Sequence, residues 1–163
     1  MKRRGFLKLG IAAGVVIGVA GAGVALIKPG LVDGKLGPGA RDVMRASAIA
    51  VLGDMLAADG VDAQLARLEV SIAALPAATR KELSDALGLL ATAAGRYALV
   101  GLSKPWTEAS AQHIQQAFDA MRLSTSNTRQ QIYHALRDLN AIAFFTEPAN
   151  WKTAGYAGPR EIP

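Results

Sequence analysis

The clearest helical pattern in this 163-residue chain is the stretch IYHALRDLNAIAFF at residues 132–145. Its large apolar residues recur every three or four positions, which places them on one face of an α-helix. We predict that this helix follows the polar break at residues 124–127 and ends near Phe145, before Glu147 and Pro148. Its predicted buried residues are Ile132, Leu136, Leu139 and Ala143.

The same spacing predicts two helices immediately before this one. Thr107 is the predicted N-cap of the nearer helix, which directly precedes the polar break. Thr79 is the predicted N-cap of the other helix, which comes earlier in the chain, and Glu82 follows it at the spacing of a capping box. The segment at residues 95–105 stays open, because it either extends a helix or forms a loop. The predicted buried residues are Ile114, Phe118 and Met121 in the nearer helix, and Leu83, Leu87, Leu90 and Ala94 in the other.

Two further helices are predicted nearer the N-terminus. The first runs from about Arg41 to Ala58 and ends at Asp59 and Gly60, and the second is capped by Asp62 and stopped by a proline. Their apolar stripes are Ile49, Leu52 and Leu56, widened by Val43, Val51 and Met55, in the first, and Leu65, Leu68, Ile72 and Leu75 in the second. With no alternating strand pattern, the sequence predicts an all-α fold: a small bundle of four to five helices with an irregular aromatic C-terminal tail.

A different composition marks residues 1–27. A basic head is followed by residues 9–27, which carry no charge and include several glycines among Ile, Val and Ala. A basic region before an apolar region is typical of an export signal, and two adjacent arginines indicate the twin-arginine route. The predicted export residues are Arg3, Arg4, Phe6, Leu7 and Lys8. We therefore expect a periplasmic protein that interacts with the twin-arginine translocase during export.

The fate of this leader stays open. Its uncharged part would form a helix of about 28 Å, close to the bilayer core of about 30 Å. A small-x-small cleavage pattern lies at residues 20–22, but apolar residues continue beyond it. The domain prediction is therefore a signal or inner-membrane anchor at 1–27, a Gly/Pro linker at 28–40, and a helical domain with its tail at 41–163.

Charge and composition exclude several functions. The formal net charge is +5, and four of these positive charges come from basic residues in the leader. In the rest of the chain, basic and acidic residues are nearly equal in number, so no nucleic-acid partner is expected. The chain has no cysteine, which rules out disulfides, thiolate zinc sites and iron–sulfur clusters.

Catalytic and metal-ligating patterns are missing from the sequence. His113 and His134 belong to no HExxH-type spacing, and neither a GxSxG elbow nor a phosphate-binding loop occurs. Glu82 and Asp85 lie three residues apart beside basic residues, which favours a solvated helix face over acid–base chemistry. We therefore predict no catalytic residue, no metal ligand and no cofactor in this chain.

The C-terminal tail is rich in aromatic residues. Four of the nine aromatic residues lie within residues 144–156, interleaved with glycine and proline. One interpretation is a tail that folds back on its own bundle, with Trp151 filling the core. The other is an anchor for a partner protein, because aromatic side chains dominate interface hot spots. The two interpretations are compatible, and the sequence leaves both open.

The segment FFTEPANWKTAGYAGP at residues 144–159 resembles the C-terminal motif of the gluconate 2-dehydrogenase subunit 3 family. In that family an aromatic pair and a proline precede a tryptophan, and Gly-Tyr-Pro-Gly-Pro follows shortly. Here Ala157 replaces the proline of that last group. The residues that carry the resemblance are Phe145, Trp151, Gly155, Tyr156, Gly158 and Pro159. The twin-arginine leader also fits this family.

The resemblance implies a non-catalytic small subunit that escorts, folds or anchors a large periplasmic dehydrogenase. That large subunit would be of the glucose–methanol–choline oxidoreductase type and would hold the FAD, and a cytochrome subunit would be a further partner. Two alternatives stay open. One is a stand-alone membrane-anchored periplasmic helical protein with a structural or chaperone role, and the other is an enzyme with an unrecognised site.

Overall fold

The computed structural model describes residues 27–158, and within this range it is an all-α fold, as predicted. The leader residues Arg3, Arg4, Phe6, Leu7 and Lys8, and Pro159 of the tail, lie outside the described residues. The helices are α1 (Pro38–Leu52), α2 (Val61–Ala73), α3 (Ala77–Ala91), the short α4 (Ala93–Gly95), α5 (Ala111–Arg122) and α6 (Asn127–Phe145). A two-stranded antiparallel hairpin, β1 (Leu31–Val32) and β2 (Lys35–Leu36), precedes α1.

Helix α1 lies at the centre of the bundle. It packs against α2, α3, α5 and α6, so it has buried residues on several faces. Val43, Met44 and Ala48 are fully buried. Small side chains such as Ala40, Ala46 and Ala50 are also buried and let the neighbouring helices approach closely. This central helix fixes the relative positions of the other long helices.

The predicted core faces of the outer helices are largely confirmed. These residues are nearly inaccessible because apolar positions three or four apart face the core together. They are Leu65, Leu68 and Ile72 of α2, Leu83, Leu87 and Leu90 of α3, Ile114, Phe118 and Met121 of α5, and Ile132, Leu136, Leu139 and Ala143 of α6. The predicted end of α6 at Phe145 is also confirmed, whereas Ala94 is exposed.

The predicted bounds of the first helix were wrong. Helix α1 begins at Pro38, because the fixed φ of proline suits the first turn of a helix. It ends at Leu52, because Gly53 adopts a positive φ of 51° and turns the chain out of the helix. Ile49 was predicted to be buried, but it is 41% exposed.

Three predicted N-caps were also wrong. Thr79 lies inside α3, which starts directly after Pro76, and α5 is capped by Ser110 instead of Thr107. Asp62 lies in the first turn of α2 and forms ion pairs with Arg41 and Arg45. Each prediction chose a residue with a capping side chain. Helix α3 instead starts after Pro76 with no side-chain cap, and α5 is capped by Ser110, which accepts from His113 N.

The range 28–40, predicted as a linker, contains folded structure. Gly30 N donates to Ser84 O at 2.9 Å, and Leu31 N donates to Ser84 Oγ at 3.0 Å. A Cβ at Gly88 of α3 would collide with the backbone oxygen of Lys28. The chain therefore enters the bundle through a groove that the small residues of α3 leave open.

We predict that Gly88→Ala destabilises the protein by about 1–3 kcal/mol, because the added Cβ overlaps backbone that cannot move freely. This effect opposes the gain of up to about 1 kcal/mol that Gly→Ala brings inside a helix. Urea unfolding of the full-length chain measures it. The matched control is Gly60→Ala, where the nearest side-chain atom lies 3.6 Å away, and we expect a change within about 0.5 kcal/mol. Equal stability of both variants would contradict the packed groove.

Candidate functional site

The last carbonyl groups of α6 are bonded by side chains from the tail. Phe144 O accepts a hydrogen bond from Asn150 Nδ2 at 2.8 Å, and Phe145 O accepts one from Trp151 Nε1 at 2.8 Å. A helix leaves its final four carbonyls without partners inside the helix, so these bonds complete its C-terminus. We call residues 145–158, which fold over this helix end, the C-terminal cap.

A side chain of helix α2 also bonds to the end of α6. Arg67 Nε donates to Ala143 O at 3.2 Å, and Thr146 Oγ1 donates to the same carbonyl at 3.0 Å. Gln64, which is fully buried, accepts from Arg67 and donates to Asn140 O at 2.9 Å. The cationic Arg67 side chain also suits the negative end of the helix dipole. The carbonyl groups at the end of α6 are thus bonded both by the C-terminal cap and by α2.

Local sequence explains the path of the cap. Glu147 caps a single 3₁₀ turn, Pro148–Asn150, by accepting from Ala149 N at 3.4 Å, and proline fits the first position of that turn. Gly155 and Gly158 adopt φ values of 76° and 102°, which other residues rarely reach. The chain turns at residues 151–155, and Gly158 then comes close to the Trp151 ring.

The residues after this turn pack against the Trp151 ring. Tyr156 N donates to Trp151 O at 2.9 Å, and the two rings lie 5.5 Å apart between centroids. A Cβ built at Gly158 would stand 3.8 Å from the Trp151 ring, so the backbone passes beside it. Trp151 is half-buried by these neighbours.

Aromatic and apolar surface remains exposed around this ring. Phe145 is 40% exposed, Tyr156 is 52% exposed, and Ile142 on the last turn of α6 is 43% exposed. Phe144 points inward and is buried, with its ring edge-to-face against Phe145 at 5.3 Å. The cap therefore holds aromatic side chains in defined positions at the surface.

The interpretation of Trp151 as a core filler was wrong. The buried tryptophan is Trp106, which is 4% exposed and donates from Nε1 to Leu90 O at 2.9 Å. Trp151 lies outside the hydrophobic core, and its indole N–H bonds to the end of α6. Both tryptophans donate the indole N–H to a backbone carbonyl, although only Trp106 is buried.

The structure brings together five of the six tail residues that the sequence singled out, with Pro159 outside the described residues. Three further residues were not predicted from the sequence. Asn150 donates to Phe144 O, and Arg67 makes the contact from α2. Ile142 forms part of the exposed surface. Asn150 had a detectable signal, because asparagine is favoured where a side chain must bond to nearby backbone. Arg67 had none, since its contact depends on tertiary packing.

The other titratable candidates lie on the surface. His113 Nδ1 lies 3.1 Å from Ser110 Oγ, and the His134 ring lies 5.1 Å from the ring of Tyr133. Asp85 is bonded to Lys81 at 2.7 Å, and this hydrogen bond raises the pKa of Lys81. Asp85 thus belongs to a solvated ion pair on α3.

Residues 27–158 hold no group of three or more His, Asp or Glu side chains arranged to bind a metal ion. Across the same residues, no helix combines the length and hydrophobicity needed to cross a membrane.

Comparisons of the chain with protein-family models, curated proteins and solved structures give no significant match. The C-terminal cap combines an ordered backbone with exposed aromatic side chains, which makes it the candidate functional site.

We predict that Trp151→Phe lowers the free energy of unfolding by about 0.5–1.5 kcal/mol, because Phe145 O loses its donor while an aromatic ring remains. Trp151→Ala should cost more, since the contacts with Tyr156 also disappear. Urea unfolding measures both. Lys152→Ala at the exposed neighbouring position is the control and should stay within about 0.5 kcal/mol. A Trp151→Phe variant as stable as the control would argue against a capping role.

Proposed function

We propose that this chain is the non-catalytic small subunit of a periplasmic FAD-dependent dehydrogenase of the glucose–methanol–choline type. In this role it escorts, folds or anchors the large subunit, which holds the FAD. The observation that carries the proposal is the C-terminal cap, because the residues that resemble the family motif form an ordered, exposed aromatic surface. We place the contact with the large subunit on this surface, around Phe145 and Tyr156.

Physical features of the cap support a role in protein binding. Exposed aromatic side chains bury a large area on association, and they are enriched among the residues that dominate interface energies. The Tyr156 ring is already positioned by Trp151, and the Phe145 ring by Phe144. Less conformational entropy is lost on binding when side chains are ordered beforehand.

The leader sequence supports the export part of the proposal. Arg3 and Arg4 would direct the chain, with the large subunit bound to it, to the twin-arginine translocase, which carries folded proteins. The absence of cysteine suits a domain that reaches its final fold before export. In the periplasm the complex would pass electrons to a cytochrome subunit. The leader, if retained, would anchor the complex in the inner membrane.

We predict that Tyr156→Ala weakens binding of the large subunit at least tenfold, because an interface hot spot costs about 2 kcal/mol or more when truncated. The free energy of unfolding of the isolated chain should change by much less than the free energy of binding. Affinity capture of the dehydrogenase from its native envelope measures the binding. Tyr97→Ala is the matched control, because Tyr97 is 67% exposed and lies outside the cap. Equal capture by both variants would place the contact elsewhere.

We also predict that the double change Arg3→Lys and Arg4→Lys leaves both this chain and the large subunit in the cytoplasm. The reason is that the twin-arginine route requires the arginine pair. Cell fractionation with an assay for FAD-containing dehydrogenase measures the outcome, and Arg122→Lys at an exposed position is the conservative control. Normal periplasmic dehydrogenase with the double variant would contradict the escort role.

A further inference from the structure

An open cleft with a volume of about 330 Å³ lies between the loop at residues 101–104 and helix α5, away from the C-terminal cap. Small-molecule sites have volumes of roughly 300–1,000 Å³, so this cleft is large enough for a small metabolite. Its polar lining comes from Ser103 and Lys104 of the loop and from His113 and Gln116 of α5. The lining contains no carboxylate side chain.

The backbone beside the cleft has an unusual geometry. Residues Arg96–Val100 form a π-helical turn, and Gly101 follows with a φ of 87°. Gly101 N donates to Arg96 O at 3.1 Å and to Tyr97 O at 3.0 Å. Such π-helical turns are rare and are frequently found at functional sites. They also redirect the chain, which here places the 101–104 loop across from α5.

A buried arginine holds this loop. Arg96 is 8% exposed, and its side chain donates from Nε to Leu102 O at 3.3 Å and from Nη2 to Ser103 O at 3.4 Å. Among residues 27–158 it has no acidic partner within ion-pair distance. The loop is therefore fixed by a positive charge that the described part of the protein leaves uncompensated.

A second arginine lies behind the loop. A Cβ built at Gly101 would stand 3.8 Å from Arg129 Nη2, so this guanidinium is next to the loop backbone. Arg129 Nε is buried and finds no hydrogen-bond acceptor in the described part of the chain. Uncompensated guanidinium charge in a partly dry setting is felt more strongly than in water. The loop that forms one wall of the cleft therefore has two guanidinium groups, those of Arg96 and Arg129, beside its backbone.

We propose that this cleft binds a small organic or inorganic anion through a carboxylate or phosphate group. Lys104 supplies the charge, because an ammonium group binds phosphate and carboxylate as a point charge. Ser103 and Gln116 supply neutral donors. The Nδ1 atom of His113 is engaged by Ser110 Oγ at 3.1 Å, which leaves Nε2 for the ligand. This proposal does not depend on the partner-binding role of the C-terminal cap.

The test is an NMR titration of the isotope-labelled full-length chain in a mild detergent, at constant ionic strength. Inorganic phosphate and citrate are titrated separately, so that a preference for phosphate or for carboxylate is seen directly. We expect saturable shifts of the backbone amides at residues 101–104 and 113–116 with one or both anions. Lys104→Gln should weaken that binding about tenfold or more, because it removes a charge-assisted contact. Lys152→Gln, which changes an exposed lysine of the cap, should leave the affinity unchanged.

Three results would overturn the proposal. The first is the absence of saturable shifts with either anion in a protein whose spectrum is well dispersed. The second is an affinity that is the same for Lys104→Gln and for Lys152→Gln. The third is saturation by a short poly-glutamate peptide together with no response to phosphate or citrate, which would assign the cleft to an acidic protein segment.

Discussion

The hydrogen bond from Trp151 Nε1 to Phe145 O is the interaction on which the candidate surface depends. Helix α6 ends at Phe145, and the carbonyls of its last turn need donors that the helix cannot supply. Asn150 and Trp151 supply two of them, so the chain after the helix must return to it. That return fixes the Trp151 ring, against which Tyr156 and Gly158 pack. Hydrogen bonds to the backbone carbonyls of α6 thereby give a solvent-exposed tail a defined conformation.

The bundle determines where this surface lies. Helices α1, α2 and α6 pack against one another, and the buried Gln64 of α2 bonds to the backbone of α6 at Asn140 O. One turn further along, Arg67 reaches Ala143 O beside the cap. A buried amide must be satisfied by partners, so these bonds favour one alignment of α2 and α6. The position of the cap is therefore set by polar contacts inside the bundle as well as by apolar packing.

Periodicity in the sequence was sufficient to predict the helices and most of their buried faces, because burial imposes a repeat on residues such as Leu136 and Leu139. Helix starts were predicted less well, since several residues compete locally to cap, as Ser110 and Thr107 show. Composition located the aromatic tail but not its geometry, which depends on one indole N–H and two positive-φ glycines. The cleft was not predicted because a π-helical turn has no periodic signal, and because the 101–104 loop and α5 come together only in the folded chain.

We propose that the C-terminal cap binds a large flavin-containing partner. Affinity purification of the full-length chain from its native envelope, with a tag after Pro163, tests this most directly. We expect a stoichiometric, yellow dehydrogenase that is retained through washing, and whose activity then identifies the substrate. A clean single band of this chain, colourless and stable on its own, would contradict the account and favour a stand-alone helical protein of the envelope.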